Sequence, residues 1–172
     1  MALRLYREGG VAGTTLKDVA GAAGVPLGNM YYYFKTRGDL VRAALEACED
    51  ELRDLLARLS PLPPRAWFAA YFDWLLADPV GAAQFGCPFG TLAGELRALG
   101  DPAAARAGGT VALYLGALRQ RTVLLGLPSS AGDDLFTAIQ GAYTVARALN
   151  DPEFFRQSVL RIRAGAPQFG HS

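Results

Sequence analysis

The stretch Thr14–Leu45, TTLKDVAGAAGVPLGNMYYYFKTRGDLVRAAL, decides how the rest of the chain is interpreted. Thr15 is a good N-cap, and Asp18 follows three residues later, in the position that completes a capping box. The helix that they begin is predicted to stop at Gly24. Pro26 then stands where a second helix begins, because the first turn of a helix does not need the missing N–H of proline. The stretch therefore predicts two short helices joined by a tight turn.

The second helix carries three tyrosines and a phenylalanine in succession, and successive side chains on a helix point about 100° apart. Four consecutive aromatic residues therefore cannot all face one core. Met30 and Phe34 are four residues apart, and we expect both to face the core. The residues predicted to face outward, or to lie at the boundary, are Gly28, Asn29, Tyr31, Tyr32 and Tyr33. Exposed tyrosines are also common without any function, so their meaning depends on what surrounds them.

Two short helices joined by a turn form a helix-turn-helix, whose second helix enters the major groove of DNA. The amide of Asn29 is then able to read a base edge, and tyrosine hydroxyls and Lys35 suit phosphate oxygens. Gly28 lets the backbone approach a phosphate. Free N–H groups where the first helix starts, at Thr15, suit another phosphate. The second helix is therefore predicted to bind DNA.

Composition and charge narrow the possible classes of protein. With 172 residues, 51% of them apolar, the chain is long enough for a small head and a larger body. The net charge is +3 over residues 1–45 and −2 over residues 46–172, which suits an anionic partner for the head alone. Cys48 and Cys87 make no disulfide framework, and no apolar run approaches the ~18 residues of a membrane span. We therefore expect a cytoplasmic protein that does not associate with a membrane.

The single histidine, His171, lies beside the C-terminus. Its position argues against histidine-based catalysis and against a zinc site of Cys/His type. We therefore expect no enzyme activity, no metal and no cofactor. Two other classes stay open at this point: an enzyme that keeps a helix-turn-helix as a relic, and a protein-interaction module that does not bind DNA.

Helical patterns dominate the rest of the chain, so the predicted fold is all-α. The opening segment MALRLYREGG is predicted to be a short helix stopped by Gly9-Gly10. A long helix with Asp39 as its cap is predicted over residues 40–59, and SPLPPR, Ser60–Arg65, is the clearest break. Further helices are predicted at residues 66–76, 81–99, 103–125, 133–150 and 152–164.

The stretch Thr14–Leu45 resembles the DNA-binding head of the tetracycline-repressor (TetR) family of bacterial transcriptional regulators. The residues that carry the resemblance are Thr15, Val19-Ala20, Ala23-Gly24-Val25, Gly28-Asn29-Met30-Tyr31, Phe34, Arg37 and Asp39-Leu40. It implies an all-α fold in which residues 1–45 form a three-helix DNA-binding head. Residues 46–172 would form a larger helical body that binds a ligand and dimerises. The first helix is shorter than is usual in the family and is expected to be truncated.

Carried over position by position, the resemblance assigns contacts with double-stranded operator DNA. Thr15 and Tyr31 would hold phosphates, Lys17, Leu27, Asn29 and Tyr32 would approach bases, and Tyr33 and Lys35 would hold the backbone. The family usually has polar residues where this chain has Pro26 and Leu27. Polar base reading there is reduced, and Leu27 suits a thymine methyl group instead.

A small-molecule effector is the second partner that the resemblance implies, and aromatic residues of the body suit an apolar pocket with a few polar anchors. The candidate ligand-binding residues are Trp67, Tyr71, Phe85, Cys87, Phe89, Tyr114 and Tyr143. The alternative is that most of them are ordinary core residues.

Cys87 allows more than one interpretation. It would line the pocket on a helix between Phe85 and Phe89, as an inert small hydrophobe, or it would be a reactive sensor thiol. No lysine or histidine lies near it in the sequence to stabilise a thiolate, which argues against the sensor. A thiol-sensing regulator that acts through Cys87 therefore remains the alternative function.

Apolar stripes on the last two helices predict a four-helix interface between two subunits. The candidate interface residues are Leu135, Ile139, Tyr143, Ala146, Phe155 and Val159. The alternative is that the same stripes form the core of one chain. A homodimer fits a DNA-binding function better, because two recognition helices one turn apart read a palindrome. We therefore expect a homodimeric, ligand-responsive regulator, most simply a repressor.

Overall fold

The computed structural model describes residues 1–165, and all regular structure within them is helical. The helices in this range are α1 Ala2–Gly13, α2 Leu16–Ala23, α3 Leu27–Tyr33, α4 Arg37–Leu59, α5 Pro64–Leu76, α6 Pro79–Phe85, α7 Thr91–Ala98, α8 Ala104–Leu124, α9 Ser130–Leu149 and α10 Pro152–Gly165. The predicted all-α fold is confirmed, and His171 lies outside the described residues. No helix in residues 1–165 is long and apolar enough to cross a membrane.

The chain divides into two units. The first contains Met1–Leu52 and Pro88–Val111, and the second contains Arg53–Cys87 and the described residues from Ala112 onward. The division falls inside α4 and α8, so each of these helices contributes residues to both units. The predicted functional boundary after residue 45 follows sequence motifs and not packing, and it remains a prediction.

In the first unit, α1 packs against α7 and α2 packs against α3. Its buried apolar side chains include Leu3, Tyr6, Val11, Val19, Ala20, Met30, Leu40, Val41, Leu45, Phe89, Leu92 and Leu96. Helix α1 breaks at Gly10, where φ is +76° and ψ is 162°, and then continues to Gly13. The first helix therefore stops at Gly10, as Gly9-Gly10 predicted, and a further helical turn that was not predicted follows it to Gly13.

Helix α4 begins at Arg37, three residues before the predicted start. The Oγ1 atom of Thr36 accepts the N–H of Asp39 at 3.1 Å, and the Asp39 carboxylate accepts the N–H of Thr36 at 2.9 Å. Thr36 is therefore the cap, and Asp39 is its capping-box partner and not the cap itself. Hydrogen bonds from the hydroxyl and then the N–H of Thr36 hold the pKa of Asp39 below its usual value.

In the second unit, α10 packs against α9, α6 and α5, and α6 also packs against α9. The single helix predicted over residues 81–99 is in fact two helices. Helix α6 ends at Phe85, Gly86 has a φ of +75°, and Pro88 has no N–H with which to continue a helix. Cys87 therefore lies in the loop between α6 and α7 and not, as predicted, on a helix.

Candidate nucleic-acid interface

The turn between α2 and α3 depends on one left-handed glycine. Gly24 has a φ of +65° and a ψ of 28°, and its N–H bonds back to the last turn of α2. The N–H of Val25 also returns to the carbonyl oxygen of Ala20, at 3.1 Å. The chain then enters α3 at Leu27, with Pro26 as the residue before the helix. This is the predicted helix-turn-helix, although Pro26 lies one position earlier relative to the helix than expected.

A capping box holds the start of α2. The Asp18 carboxylate accepts hydrogen bonds from the N–H and the hydroxyl of Thr15, at 2.8 Å and 2.7 Å, and Thr15 Oγ1 accepts the N–H of Asp18 at 3.2 Å. The Thr15 hydroxyl, and then its N–H, lower the pKa of Asp18. Since the Thr15 hydroxyl donates to Asp18, a phosphate at this end would meet the N–H groups of Leu16 and Lys17. Lys17 is exposed beside them.

Helix α3 buries one side chain and exposes an aromatic face. Met30 is buried, whereas 52% of Tyr31, 72% of Tyr32 and 74% of Tyr33 is exposed. The rings of Tyr32 and Tyr33 meet edge to face with centres 5.1 Å apart, and Lys35 Nζ lies 5.4 Å from the centre of the Tyr32 ring. The predicted orientation of α3 therefore agrees with the structure, except that Phe34 is only half-buried.

Smaller polar and apolar groups complete this surface. Gly28 and Asn29 are exposed at the start of α3, and a methyl group added at Gly28 would meet no atom within 4 Å. Val25 and Leu27 are exposed apolar residues beside them. Sequence reasoning did not place Val25 among the contact residues, because its exposure depends on the turn geometry set by Gly24. The surface as a whole offers an amide, phenols and a cation, which are groups that bind base edges and phosphates.

Most of the predicted ligand-binding residues come together inside the second unit. The ring of Tyr71 stacks on Trp67, with centres 5.3 Å apart, and its hydroxyl is hydrogen bonded to that of Tyr114. Burial raises the pKa of both tyrosines and of Tyr143. Phe85 is half-buried in the same unit, whereas Phe89 is buried in the first unit. The cluster therefore combines stacked rings with buried hydroxyl groups.

Cys87 joins this cluster through an amide that sequence reasoning missed. Gln140 on α9 donates a hydrogen bond from Nε2 to Cys87 Sγ at 3.4 Å, and Cys87 also acts electrostatically on Tyr71, Tyr114 and Tyr143. Gln140 lies three residues before Tyr143, beside an apolar stripe. An amide beside the apolar stripe of α9 is the signal that could have identified it.

One surface cleft in the second unit reaches the cluster at Trp67. It has a volume of about 460 Å³, and its lining is Leu56, Ser60, Trp67, Ala112, Leu113, Gly116, Ala117, Gln120 and Arg121. The Arg121 guanidinium lies 5.6 Å from the centre of the Trp67 ring and donates hydrogen bonds to the carbonyl oxygens of Ser60 and Leu62, at 3.1 Å and 3.4 Å. Of the predicted ligand-binding residues, Trp67 lines this cleft.

The predicted dimer interface needs a correction. Leu135, Ile139, Tyr143, Ala146, Phe155 and Val159 are all buried within the single chain, each at most 5% exposed. The rings of Tyr143 and Phe155 lie 4.5 Å apart, because these stripes pack α9 against α10. These side chains therefore form an intramolecular core and present no surface to a partner. The exposed apolar stripe on α9 consists of Ala138, Gly141, Val145 and Leu149.

The geometry first defines a class: an all-α protein with a helix-turn-helix near its N-terminus, whose second helix exposes aromatic rings and is followed by Lys35. Residues 1–44 match the family model described as bacterial regulatory proteins, tetR family. Over these residues the chain is similar to regulators of the TetR family. The family consists of transcriptional regulators, not enzymes.

Curated relatives are similar to about a third of the chain. The chain is 40% identical over 55 residues to the HTH-type transcriptional regulator AcrR of Shigella flexneri, covering 32% of this chain and 26% of that protein. It is 44% identical over 57 residues to the HTH-type transcriptional regulator TtgR of Pseudomonas putida, covering 33% of this chain and 27% of that protein. The match thus spans about a quarter of the length of these curated relatives.

Solved structures agree over almost the whole chain. A TetR transcriptional regulator from Legionella pneumophila has a TM-score of 0.80 at 20% identity, covering 95% of this chain and 92% of that chain. The regulatory protein TetR from Rhodobacter sphaeroides has a TM-score of 0.79 at 21% identity, covering 93% and 92%. At these identities the likeness establishes the fold.

Proposed function

We propose that this protein is a cytoplasmic, homodimeric transcriptional regulator, most simply a repressor, that binds palindromic operator DNA and is released by a small, largely apolar effector. The observation that carries the DNA-binding part is the exposed face of α3. Three successive phenol rings are each more than half exposed, so their apolar surface is left in contact with water and does not pack in a core. On a helix-turn-helix, the same face meets the major groove.

The roles of the individual residues follow from their positions. Asn29 and Leu27 at the start of α3 would read bases, because the N-terminal residues of a recognition helix contact base edges. Tyr31, Tyr33 and Lys35 would hold phosphates. Tyr32 would approach bases with its ring edge, and Lys17 would do so from the start of α2.

Binding to duplexes of defined sequence tests this function. We expect the full chain to bind double-stranded DNA with a logarithm of affinity that falls linearly with the logarithm of salt concentration, because phosphate contacts release counterions. The Tyr32→Ala/Tyr33→Ala variant should bind far more weakly while its helical content is kept, since both rings lie outside the core. Binding that ignores salt, or a double variant that binds like the unmodified chain, would count against a DNA-binding α3.

The effector part rests on the aromatic cluster of the second unit. Stacked Trp67 and Tyr71 suit a planar apolar molecule, and the hydroxyls of Tyr71 and Tyr114 with the Gln140 amide suit one polar group on it. The adjoining cleft of about 460 Å³ lies within the range of small-molecule sites, roughly 300–1,000 Å³. A thermal-shift screen of planar aromatic compounds, with and without a hydroxyl group, tests this. Compounds with the hydroxyl should stabilise the chain more, and a Tyr71→Phe variant should lose that preference.

Thiol sensing by Cys87 is the second candidate, and one contact favours it: the Gln140 N–H that points at the sulfur would also stabilise a thiolate. Burial argues the other way, because Cys87 is only 5% exposed. In a Cys48→Ser background, iodoacetamide should alkylate Cys87 slowly in the folded protein and rapidly after unfolding. Fast labelling of the folded chain that also releases DNA would replace the effector mechanism by the thiol sensor.

The homodimer rests on the outer face of α9. Ala138, Gly141, Val145 and Leu149 recur at helical spacing on that face and are exposed. Small residues at Ala138 and Gly141 allow a partner helix to approach closely, and the larger apolar residues gain from being covered. A two-fold pair of chains would then present two copies of α3 to a palindrome.

A further inference from the structure

The break in α1 exposes two backbone donors that a continuous helix would satisfy. After Gly10, the N–H groups of Val11 and Ala12 begin a new helical turn and have no acceptor within the helix. The Oε1 atom of Glu95, on α7, accepts both of them, at 2.5 Å and 3.1 Å. One carboxylate oxygen from a distant part of the chain therefore caps the second half of α1.

The fit between the break and Glu95 is specific. A methyl group added at Gly10 would lie 2.8 Å from Glu95 Oε1, and φ at Gly10 is in the left-handed region. Any other residue at position 10 would therefore be strained and would displace the carboxylate. The arrangement needs both the glycine and the acid.

Two further hydrogen bonds tie the same break to the helix-turn-helix. Arg37, the first residue of α4 and only four residues after the end of α3, donates from Nη2 to the carbonyl oxygen of Val11 at 2.8 Å. The hydroxyl of Thr14, directly before the cap of α2, donates to the carbonyl oxygen of Gly10 at 2.8 Å. The break is thus attached to α7 on one side and to both ends of the α2–α3 segment on the other.

We propose that Glu95 is a positioning residue for DNA recognition, which rests on the proposed DNA-binding function. It acts through the break: by fixing the second half of α1, it fixes the orientation in which α2 and α3 are presented. A hydrogen bond of this kind is lost when its atoms separate by about an ångström, so the position of α7 controls the presentation of α3. Through Glu95, helix α7 contributes to DNA recognition although it lies outside the helix-turn-helix.

Loss of the hydrogen bonds to Glu95 should affect the specificity of DNA binding more than its total affinity. Sequence-specific binding requires several base contacts to form at once, whereas non-specific binding needs only phosphate contacts that tolerate small rotations. The two hydrogen bonds from Val11 and Ala12 to Glu95 are called the clamp. Loss of the clamp should therefore weaken binding to a preferred duplex more than binding to a random duplex. A variant that merely unfolds part of the protein lowers the active fraction and reduces both affinities equally, so the ratio separates the two roles.

Glu51 provides a matched control. Its carboxylate also binds α1 from outside the helix-turn-helix, but it pairs with the Arg7 side chain, at 2.8 Å, and does not touch the break. Glu51→Ala therefore removes a carboxylate that holds α1 while leaving the clamp intact. If any loosening of α1 were enough, this variant would behave like Glu95→Ala.

The test uses the full chain, a duplex that the unmodified protein has selected from a random pool, and a random duplex of equal length, all compared by fluorescence anisotropy. Glu95→Ala should lower the ratio of the two affinities about tenfold, in keeping with the loss of hydrogen bonds to a charged group. Glu95→Gln keeps an acceptor oxygen at the same reach and should recover part of the ratio. Glu51→Ala should leave the ratio unchanged.

Glu95→Asp gives a second readout if the alanine variant does not fold. Its carboxylate is one methylene shorter, so it should lower the ratio and shift the amide proton resonances of Val11 and Ala12. An unchanged ratio in Glu95→Ala or Glu95→Asp, or an equal fall in Glu51→Ala, overturns the role of Glu95 while DNA binding stands. If the unmodified chain selects no duplex, the proposed function fails as well.

Discussion

The Nζ atom of Lys35 lies 5.4 Å from the centre of the Tyr32 ring, two residues past the end of α3. This contact holds a cation beside an exposed ring, where the attraction between them is worth about 0.5–1 kcal/mol. The ring and the ammonium group therefore form one surface, which in the proposed complex would place the ring in a groove and the charge at its phosphate edge. A substitution at Lys35 therefore tests whether this surface binds phosphate.

Replacing Lys35 by alanine should weaken binding to selected and random duplexes alike. One phosphate contact fewer lowers the slope of log affinity against log salt by about 0.9. A salt titration of the Lys35→Ala variant measures the slope, and Arg58→Ala, which removes an exposed cation from the second unit, serves as the control. An unchanged slope for Lys35→Ala, or an equal change for Arg58→Ala, would remove Lys35 from the interface.

Asn29→Ala should instead relax the choice of base at one position. A good bidentate contact between an amide and a base discriminates by about 1–3 kcal/mol, and this difference disappears with the side chain. Affinities for the selected duplex and for its single-base variants measure the effect. Gln84→Ala, which removes an exposed amide on α6, is the control. Equal losses on all duplexes would place Asn29 on the backbone.

Charges on the two faces of α9 should have opposite consequences. Val145→Asp puts a charge on the exposed stripe and should give a monomer with full helical content. Ile139→Asp puts one in the core, where Ile139 is fully buried, and should unfold the second unit, because an unpaired charge there is costly. Sedimentation velocity and circular dichroism separate the outcomes. A folded Val145→Asp variant that still dimerises would place the interface elsewhere.

Four buried tyrosines should make the fold sensitive to alkali. Burial raises the pKa of Tyr6, Tyr71, Tyr114 and Tyr143 above the usual 10.0. The stability that their neutral phenols contribute is therefore complete below pH 10 and is lost as the pH rises above 10 towards the folded values. Ionisation of these four, followed by ultraviolet absorbance, should coincide with the loss of helical circular dichroism. Their ionisation in a chain that keeps its helices would contradict the burial.

Local chemistry explains why the head was predictable. The Thr15–Asp18 capping box, the glycine turn at Gly24 and the spacing of Met30 on α3 each depend on residues within a few positions of one another. Such signals are readable without knowledge of the tertiary structure. The resemblance to the TetR family, found on the same residues, added the expectation of the body.

The errors arose where distant residues decide the outcome. The further helical turn after Gly10 has its first N–H accepted by Glu95, 84 positions from Val11, and nothing in the opening segment indicates it. The break of the helix predicted over residues 81–99 has a local cause, Gly86 and Pro88, and it was overlooked. The stripes of α9 and α10 fit an intramolecular core and an interface equally well in sequence.

Selection of duplexes from a random-sequence pool by the full chain shows whether α3 reads operator DNA as one half of a two-fold pair. We expect enrichment of palindromic sequences whose half-sites are centred a whole number of helical turns apart, about 10 base pairs for each turn. The Asn29→Ala variant should enrich the same palindrome with one position in each half-site relaxed. A pool that stays unenriched, or enriched sequences without two-fold symmetry, would contradict this role of α3.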